Sequence, residues 1–319
     1  MTRSPSEPAG ARALGLVSVV LPAHDESASL PGLVAAIESV LGGQAHEFVI
    51  VDDGSGDRTW AVIQELAARH PSVRGVRFSR NFGHQAALFA GLREARGRAV
   101  IMLDADGQHP PDLLPAMLSA WAGGAEVVQA VRESNAHTTS IRRLGSHAYY
   151  AVLRALTGLP IVPGAADFRL LSRRAADLVL GQEGPPPFFR ALLPWMGLRT
   201  VFLPYHASAR LGGRSSYGWR RMMGLSLEGM VGYSAIPLRL AGLAGLFLAA
   251  AAFAYLAFVL VARLGGTRVV PGWASVAGLV ALLSGIQLVV LATIGEYLAR
   301  VFIATLHRPP YVIAERAGD

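Results

Sequence analysis

The chain has no cysteine and no lysine. Without cysteine it can build neither a disulfide framework nor a thiolate metal site. Without lysine, its formal net charge of +7 rests on arginine alone. Such a charge attracts phosphates or an anionic membrane surface. The abundance of alanine, glycine and arginine also fits a GC-rich genome, and charge by itself does not separate the two readings. No stripe of interleaved basic and aromatic residues is present, which argues against nucleic acid as a partner. The first thirteen residues, MTRSPSEPAGARA, lack an apolar run. They read as a short disordered tail (1–13) rather than a signal peptide or an anchor. No internal repeat is visible.

A chain of 319 residues can bury one large α/β core and still have residues to spare. Apolar residues make up 52% and are unevenly spread: 1–236 mixes polar and apolar segments, whereas 237–303 is mostly apolar. The apolar runs Val17 to Ala23 and Phe48 to Val51 read as buried strands. Ser29 is placed to cap a helix with Pro31 in its first turn, and Asp57 to cap the next. The alternation continues through strand Val73 to Phe78, helix Gln85 to Ala95, strand Ala99 to Leu103, a helix from about Pro111, and strand Glu126 to Val131. This order predicts an α/β domain with a mostly parallel sheet covered on both faces, over 14–214. In such sheets ligands bind at the carboxyl ends of the strands, where Asp25, Glu26, Asp52, Asp53, Asp104 and Asp106 fall.

Leu240 to Ala262 and Trp273 to Gly295 are each 23 residues long and carry no charge. At a 1.5 Å rise each spans about 35 Å, enough for a bilayer core of about 30 Å. They form a transmembrane hairpin within 237–319, followed by a C-terminal tail. Arg220, Arg221 and Arg239 precede the pair and Arg300, Arg308 and Arg316 follow it, against Arg263 and Arg268 in the loop. The bias predicts a multi-pass cell-membrane protein with its catalytic domain and both termini cytoplasmic. Residues 215–236 mix Arg, Met, Leu and Tyr and suit amphipathic helices at the membrane surface. Glu296 reads as an interfacial charge at the end of the second helix.

The chemistry lies in the acidic strand ends. Asp104 and Asp106 are two apart on an extended segment, so both carboxylates can face one ligand. Two such groups repel unless a cation sits between them, and a hard divalent ion prefers oxygen ligands. In the turn after the second strand, a carboxylate of Asp52 or Asp53 can accept from a ribose hydroxyl or a base N–H. Each turn alone is common, but several converging on one edge form a stronger signal.

Together PAHDE, VDDGSGDRT, SRNFGHQAALFAGL and MLDADGQHPPDLLP resemble glycosyltransferase family 2, in its polyprenyl-phosphate branch of dolichyl-phosphate mannose synthases and bactoprenol glucosyltransferases. ADFRLLSR, RLGGRSSYGWRRM, GIQLVVLATIGEYLAR and RPPYVI extend the likeness to nearly the whole chain, in the family's order. The resemblance implies a GT-A fold, an inverting mechanism and Mg²⁺ or Mn²⁺. By that pattern Pro22, His24, Glu26, Val51, Asp52 and Asp53 line the nucleoside pocket. Asp104, Ala105 and Asp106 meet the diphosphate and metal, with Gln108 beside them as a further ligand. Arg210 and Ser216 belong to a basic loop over the donor phosphates, with Arg214 sharing the charge.

The implied partners are a nucleotide diphosphate sugar, with a UDP-sugar favoured over GDP-mannose, a polyprenyl phosphate and the membrane. A lipid monophosphate is largely dianionic at neutral pH, so it needs cations to hold it in line more than a general base. Arg132, and Arg142 with Ser146 one helical turn on, suit that role. Asp167 matches an active-site aspartate that orients the acceptor or a sugar hydroxyl; a plain ion pair with Arg169 is the alternative. Two other readings compete. A processive polysaccharide synthase shares the catalytic domain, but the expected Gln-x-x-Arg-Trp and additional helices are missing. A non-catalytic membrane scaffold would not need the intact Asp104 and Asp106 pair. The oligomeric state is left open, a homo-oligomer included.

Overall fold

The computed structural model describes residues 15–133, 162–182, 189–206, 236–264, 272–306 and 308–318. The chain divides into two compact units, one built on a sheet and one on two long helices. In the first unit the described elements are β1 (Val17–Ala23), α1 (Leu30–Leu41), β2 (His46–Asp52), α2 (Thr59–Arg69), β3 (Val73–Phe78), α3 (His84–Glu94) and β4 (Ala99–Met102). A 3₁₀ turn (Pro111–Leu113) leads into α4 (Leu114–Ala122), then β5 (Val127–Arg132), β6 (Ala165–Ser172), α5 (Arg173–Leu180), α6 (Phe189–Met196) and β7 (Thr200–Tyr205).

A further strand, β8 (Ile313–Ala317), follows the helical unit, and the sheet order is β7-β5-β6-β4-β1-β2-β3-β8. β1 pairs in parallel with β2 and β4, β2 with β3, and β5 with β7. β6 runs antiparallel to both β4 and β5, and β8 antiparallel to β3. The expected mostly parallel α/β domain is therefore present, with one correction. The segment read as a C-terminal tail contributes β8, whose IAERA sequence suits an edge and has no apolar run to reveal it.

β1 is central, and all seven of its residues are buried, as an apolar run covered on both faces requires. Val17, Val19, Leu21 and Ala23 join one core with Leu30, Val34 and Ile37 of α1 and Phe48 and Ile50 of β2. Each such side chain contributes about 1.5–3 kcal/mol of burial. On the other face α3 lies close: a Cβ at Gly91 would come 2.2 Å from Val20 Cγ1, so only glycine allows that approach. Ser29 occupies the position before α1 but does not cap it. Its hydroxyl instead donates to the Glu26 carbonyl and to Glu26 Oε2, because its backbone is already helical and turns the side chain away from the free amides. Asp57 does support the start of α2, where its Oδ1 accepts the Thr59 amide at 2.9 Å.

The second unit holds α7 (Ile236–Leu264) and α8 (Trp273–Thr305), which contact one another. Both are long and apolar enough to cross a membrane, with windows at Leu238–Tyr255 and Leu282–Ile303. They extend beyond the sequence-based bounds, because the flanking residues are good helix formers. Glu296 therefore sits inside α8 rather than at its end. Arg239 and Arg300 likewise fall within the two windows, leaving Arg220, Arg221, Arg308 and Arg316 to outweigh Arg263 and Arg268.

Candidate functional site

The strand order reverses between β1 and β4, which opens a crevice at their carboxyl ends. Three groups of residues meet there: the ends of β1 and β2, the turn after β4, and the start of antiparallel β6, where Met102 pairs with Arg169.

On the first side Asp53 follows β2 and is almost fully buried. Its Oδ1 accepts the Phe82 amide at 2.7 Å and its Oδ2 the Gly83 amide at 2.9 Å. Burial raises its pKa, and these two donors offset only part of that. His24 Nδ1 lies 3.0 Å from the Asp53 carbonyl oxygen, which requires a proton on Nδ1. Nε2 can then accept from the Asn81 amide nitrogen 3.3 Å away. Asp25 is the one non-glycine residue with positive φ among those described, at 56°. Its left-handed backbone is held by the Gly56 amide on Oδ1 at 2.9 Å and by its own amide on Ser55 Oγ at 3.0 Å. The Glu26 amide donates to Thr59 Oγ1 at 2.9 Å. Gly54, at φ 65°, lets the turn pass against the Arg80–Asn81 backbone, which a Cβ would meet at 2.4 Å. Pro22, Val51 and Asp52 are buried and build the strand ends. Asp52 Oδ1 accepts the Ser55 amide at 2.9 Å, and Oδ2 lies 3.5 Å from Arg77 Nε.

On the second side the turn after β4 carries Asp104, Ala105, Asp106 and Gln108. The Gln108 amide and side-chain nitrogens donate to the two oxygens of Asp106 at 3.0 and 2.8 Å and orient that carboxylate. The Asp104 amide donates to His109 Nδ1 at 3.0 Å, so the neutral ring carries its proton on Nε2. His109 stacks on Phe168, with centroids 5.0 Å apart, and burial lowers its pKa. Ala105 is 2% exposed. Asp104 Oδ1 is buried and accepts no hydrogen bond. A second carboxylate two residues on makes a set of hard oxygen donors, which fits Mg²⁺ or Mn²⁺. No group of three His, Asp or Glu among the described residues could enclose a metal. A cation here would take its remaining ligands from a diphosphate and water.

On the third side Asp167 is 6% exposed and serves three partners. Its Oδ1 accepts from the fully buried Arg169, its Oδ2 accepts from Arg190 Nη2 at 3.0 Å, and His84 Nε2 stands 3.5 Å away. Burial opposes its ionisation, but Arg190, His84 and Arg169 prevail and hold it well below the usual carboxylate range. His84 Nε2 is also 3.4 Å from Asp104 Oδ1, and thus bridges the two carboxylates. Burial disfavours its charge, yet Asp167 and Asp104 raise its pKa above the ordinary value. Arg132 is exposed at the end of β5, close enough for its charge to act on Tyr205, whose pKa burial pushes up to about 12. Arg142, Ser146, Arg210 and Ser216 lie outside the described residues.

Sequence reasoning did not assign roles to His84, His109 or Arg190, and it named Arg169 only as the ion-pair partner of Asp167 that the structure shows. The two histidines lie within quoted motifs, NFGHQ and DGQHP, and that was the available signal. Arg190 sits in PFFRALL, which carries none.

A GT-A-like α/β sheet with a carboxylate-rich crevice at its switch point is the architecture of a glycosyltransferase. Residues 18–180 match Glycosyl transferase family 2, and the chain belongs to that family. It is 33% identical over 94% of its length to the uncharacterized glycosyltransferase YkcC of Bacillus subtilis, covering 94% of that protein. It is 32% identical over 93% of its length to the bactoprenol glucosyl transferase of Shigella phage SfV, covering 97% of it. Among solved structures, glucosyl-3-phosphoglycerate synthase from Mycobacterium tuberculosis, in complex with Mn²⁺, UDP-glucose and phosphoglyceric acid, shares the fold at TM-score 0.52. That match is 19% identical and covers 72% of this chain and 83% of that one.

Proposed function

We propose that this chain transfers a sugar from a nucleotide diphosphate donor to a polyprenyl phosphate, with inversion at the anomeric carbon. The observation that carries this reading is the convergence of Asp53, Asp104 and Asp167 on one crevice, where a buried Asp104 oxygen accepts no hydrogen bond and faces His84 at 3.4 Å. The full-length likeness to a bactoprenol glucosyl transferase supports the acceptor class. A UDP-sugar is the favoured donor and GDP-mannose the second candidate.

In this reading Asp53 and His24 bound the nucleoside pocket, and Asp104 with Asp106 would hold a divalent ion. When bound, that ion supplies neutralisation of the negative charge on the departing diphosphate. A phosphate oxygen of the lipid attacks the anomeric carbon as the nucleotide diphosphate leaves from the opposite face. That oxygen is already deprotonated at neutral pH, so no general base is needed. Asp167 agrees with this. A carboxylate held so low by two arginines does not accept a proton at pH 7, and it acts by positioning Arg190 and His84. Arg132, with Arg142 and Ser146, would grip the acceptor phosphate, and Arg210 with Ser216 the donor phosphates.

Two apolar helices fit a membrane-associated enzyme acting on a lipid. Because β8 follows them and rejoins the sheet, the chain entering and leaving the pair belongs to one domain, as a hairpin requires. The arginine bias puts that domain and both termini in the cytoplasm. Radiolabelled UDP- and GDP-sugars incubated with membranes containing the protein and polyprenyl phosphate test the proposal. Label should enter the lipid phase only when polyprenyl phosphate is present. Label released solely as free sugar, or none moved from any donor, refutes it.

A further inference from the structure

The strand β8 makes contacts that do not stop at the sheet edge. Tyr311, just before it, is 9% exposed and stacks on Phe78, with centroids 4.9 Å apart and planes inclined by 15°. Phe78 meets the edge of Phe82 at 5.7 Å, and the Phe82 amide donates to Asp53 Oδ1 at 2.7 Å. The Ser79 amide donates to the Val312 carbonyl at 3.0 Å, which ties down the first residue of the same loop. A second path starts at Glu315. It accepts from Trp60 Nε1 at 3.0 Å and from Arg77 Nη1 at 2.8 Å. Arg77 Nε lies 3.5 Å from Asp52, whose other oxygen holds the Ser55 amide, and Ser55 Oγ holds the Asp25 amide.

We infer that the segment Tyr311–Ala317 positions the donor pocket, through Tyr311 on the loop 79–83 and through Glu315 on the turn 52–55. Both paths end on backbone that shapes the nucleoside side of the crevice: Asn81 against His24, Phe82 and Gly83 on Asp53, and Ser55 on Asp25. A five-residue strand bearing Glu315 and Arg316 also blunts the sheet edge. An edge guard alone, however, needs no ring stacked on Phe78, which in turn meets Phe82. A bulge between Arg77 and Phe78 lets both side chains meet the returning strand while β3 turns into the loop. Tyr311 and Glu315 are thus positioning residues. The order of the chain gives this a consequence: the donor pocket is complete only once the polypeptide beyond the second long helix has folded back. The inference rests on the donor-site reading above.

The test uses the full chain in detergent, titrated calorimetrically with UDP and with GDP, each with Mn²⁺, beside donor-dependence kinetics with polyprenyl phosphate. Tyr311→Ala should weaken the preferred nucleotide about two- to tenfold, the range an aromatic pair is worth. Donor KM should rise with it, while kcat at saturating donor stays within about twofold. Tyr311→Phe keeps the stacked ring and should bind like the wild type. Glu315→Ala, at a side chain 46% exposed and tolerant of substitution, should weaken the nucleotide in the same direction. It gives the answer if Tyr311→Ala does not fold. A folded Tyr311→Ala or Glu315→Ala protein with wild-type nucleotide affinity overturns the inference, as does a lower melting temperature with donor KM unchanged. If the wild type binds neither nucleotide, the donor-site reading falls and this inference with it.

Discussion

Asp167→Ala is the substitution whose outcome the geometry constrains most. Arg169 is fully buried, and its Nε and Nη1 already lack hydrogen-bond partners. Removing Asp167 leaves its guanidinium one hydrogen bond, to the Ala166 carbonyl at 3.0 Å, with the Phe189 ring and the more distant Asp104 to attract it and Arg190 to repel it. Breaking a buried pair from one side costs about 3–5 kcal/mol, because a desolvated charge is left uncompensated. For a catalytic unit of this size, about 2–4 °C per kcal/mol gives a fall of roughly 6–20 °C in its melting transition. The pH dependence has a definite sign. Asp167 is a carboxylate with a depressed native pKa, so its stabilisation is complete above the unfolded value of about 3.9 and is lost as pH falls through the native one. The deficit of the variant should therefore persist through neutral pH, be larger where His84 is protonated and its pairing with Asp167 counts, and shrink in stronger acid. Thermal melts of the full chain in detergent from neutral pH into acid, with Asp167→Ala/Arg169→Met beside the single variant, decide the matter. The double variant removes both charges and should regain much of the lost stability while transfer remains impaired, since Arg190 and His84 still lack the Asp167 carboxylate. A single variant melting within about 2 °C of the wild type, or a double variant no more stable than the single, refutes the reasoning.

Four further outcomes are expected. Chelation should abolish transfer, with Mg²⁺ or Mn²⁺ restoring it, and Asp104→Ala or Asp106→Ala should be inactive; full activity of either in metal-free buffer would sink the metal assignment. Arg142→Ala should lower the acceptor's kcat/KM by about ten- to more than a hundredfold and leave nucleotide affinity intact, whereas Asp53→Ala should weaken nucleotide directly; the reverse pattern in calorimetry and kinetics exchanges the two phosphate sites. Gly54→Ala forces a Cβ against the Arg80–Asn81 backbone at φ 65°, and should cost about 1–3 kcal/mol in a denaturant melt; an unchanged midpoint contradicts the tight turn. A reporter fused to the C-terminus should be cytoplasmic, and a signal from the opposite side of the membrane makes one of the two spans wrong.

Much of the crevice could be read from one dimension because of how parallel sheets work. Apolar runs such as Val17 to Ala23 must be buried on both faces, and polar residues after such runs must gather at one edge. Asp53, Asp104 and Asp106 follow from that rule, and the two long apolar segments follow from the thickness of a bilayer. Which amide or cation each carboxylate meets did not follow. Asp52 and Asp53 are neighbours in the same turn, yet one is locked to Ser55 and Arg77 inside the sheet edge, while the other meets the loop 82–83. His84, His109, Arg169 and Arg190 become a network only because α3, the turn after β4, β6 and α6 converge. Asp167 and Arg190 are 23 residues apart in the chain. β8 is the clearest case. Its register against β3 is set by Tyr311 on Phe78 and by Glu315 between Trp60 and Arg77, contacts that span 255 residues for Trp60 and Glu315. Local pattern determines which segments are strands and which residues are acidic at their ends. Long-range pairing, made only when the chain closes, decides which of those carboxylates meet a cation and which an amide, and where the last strand joins the sheet.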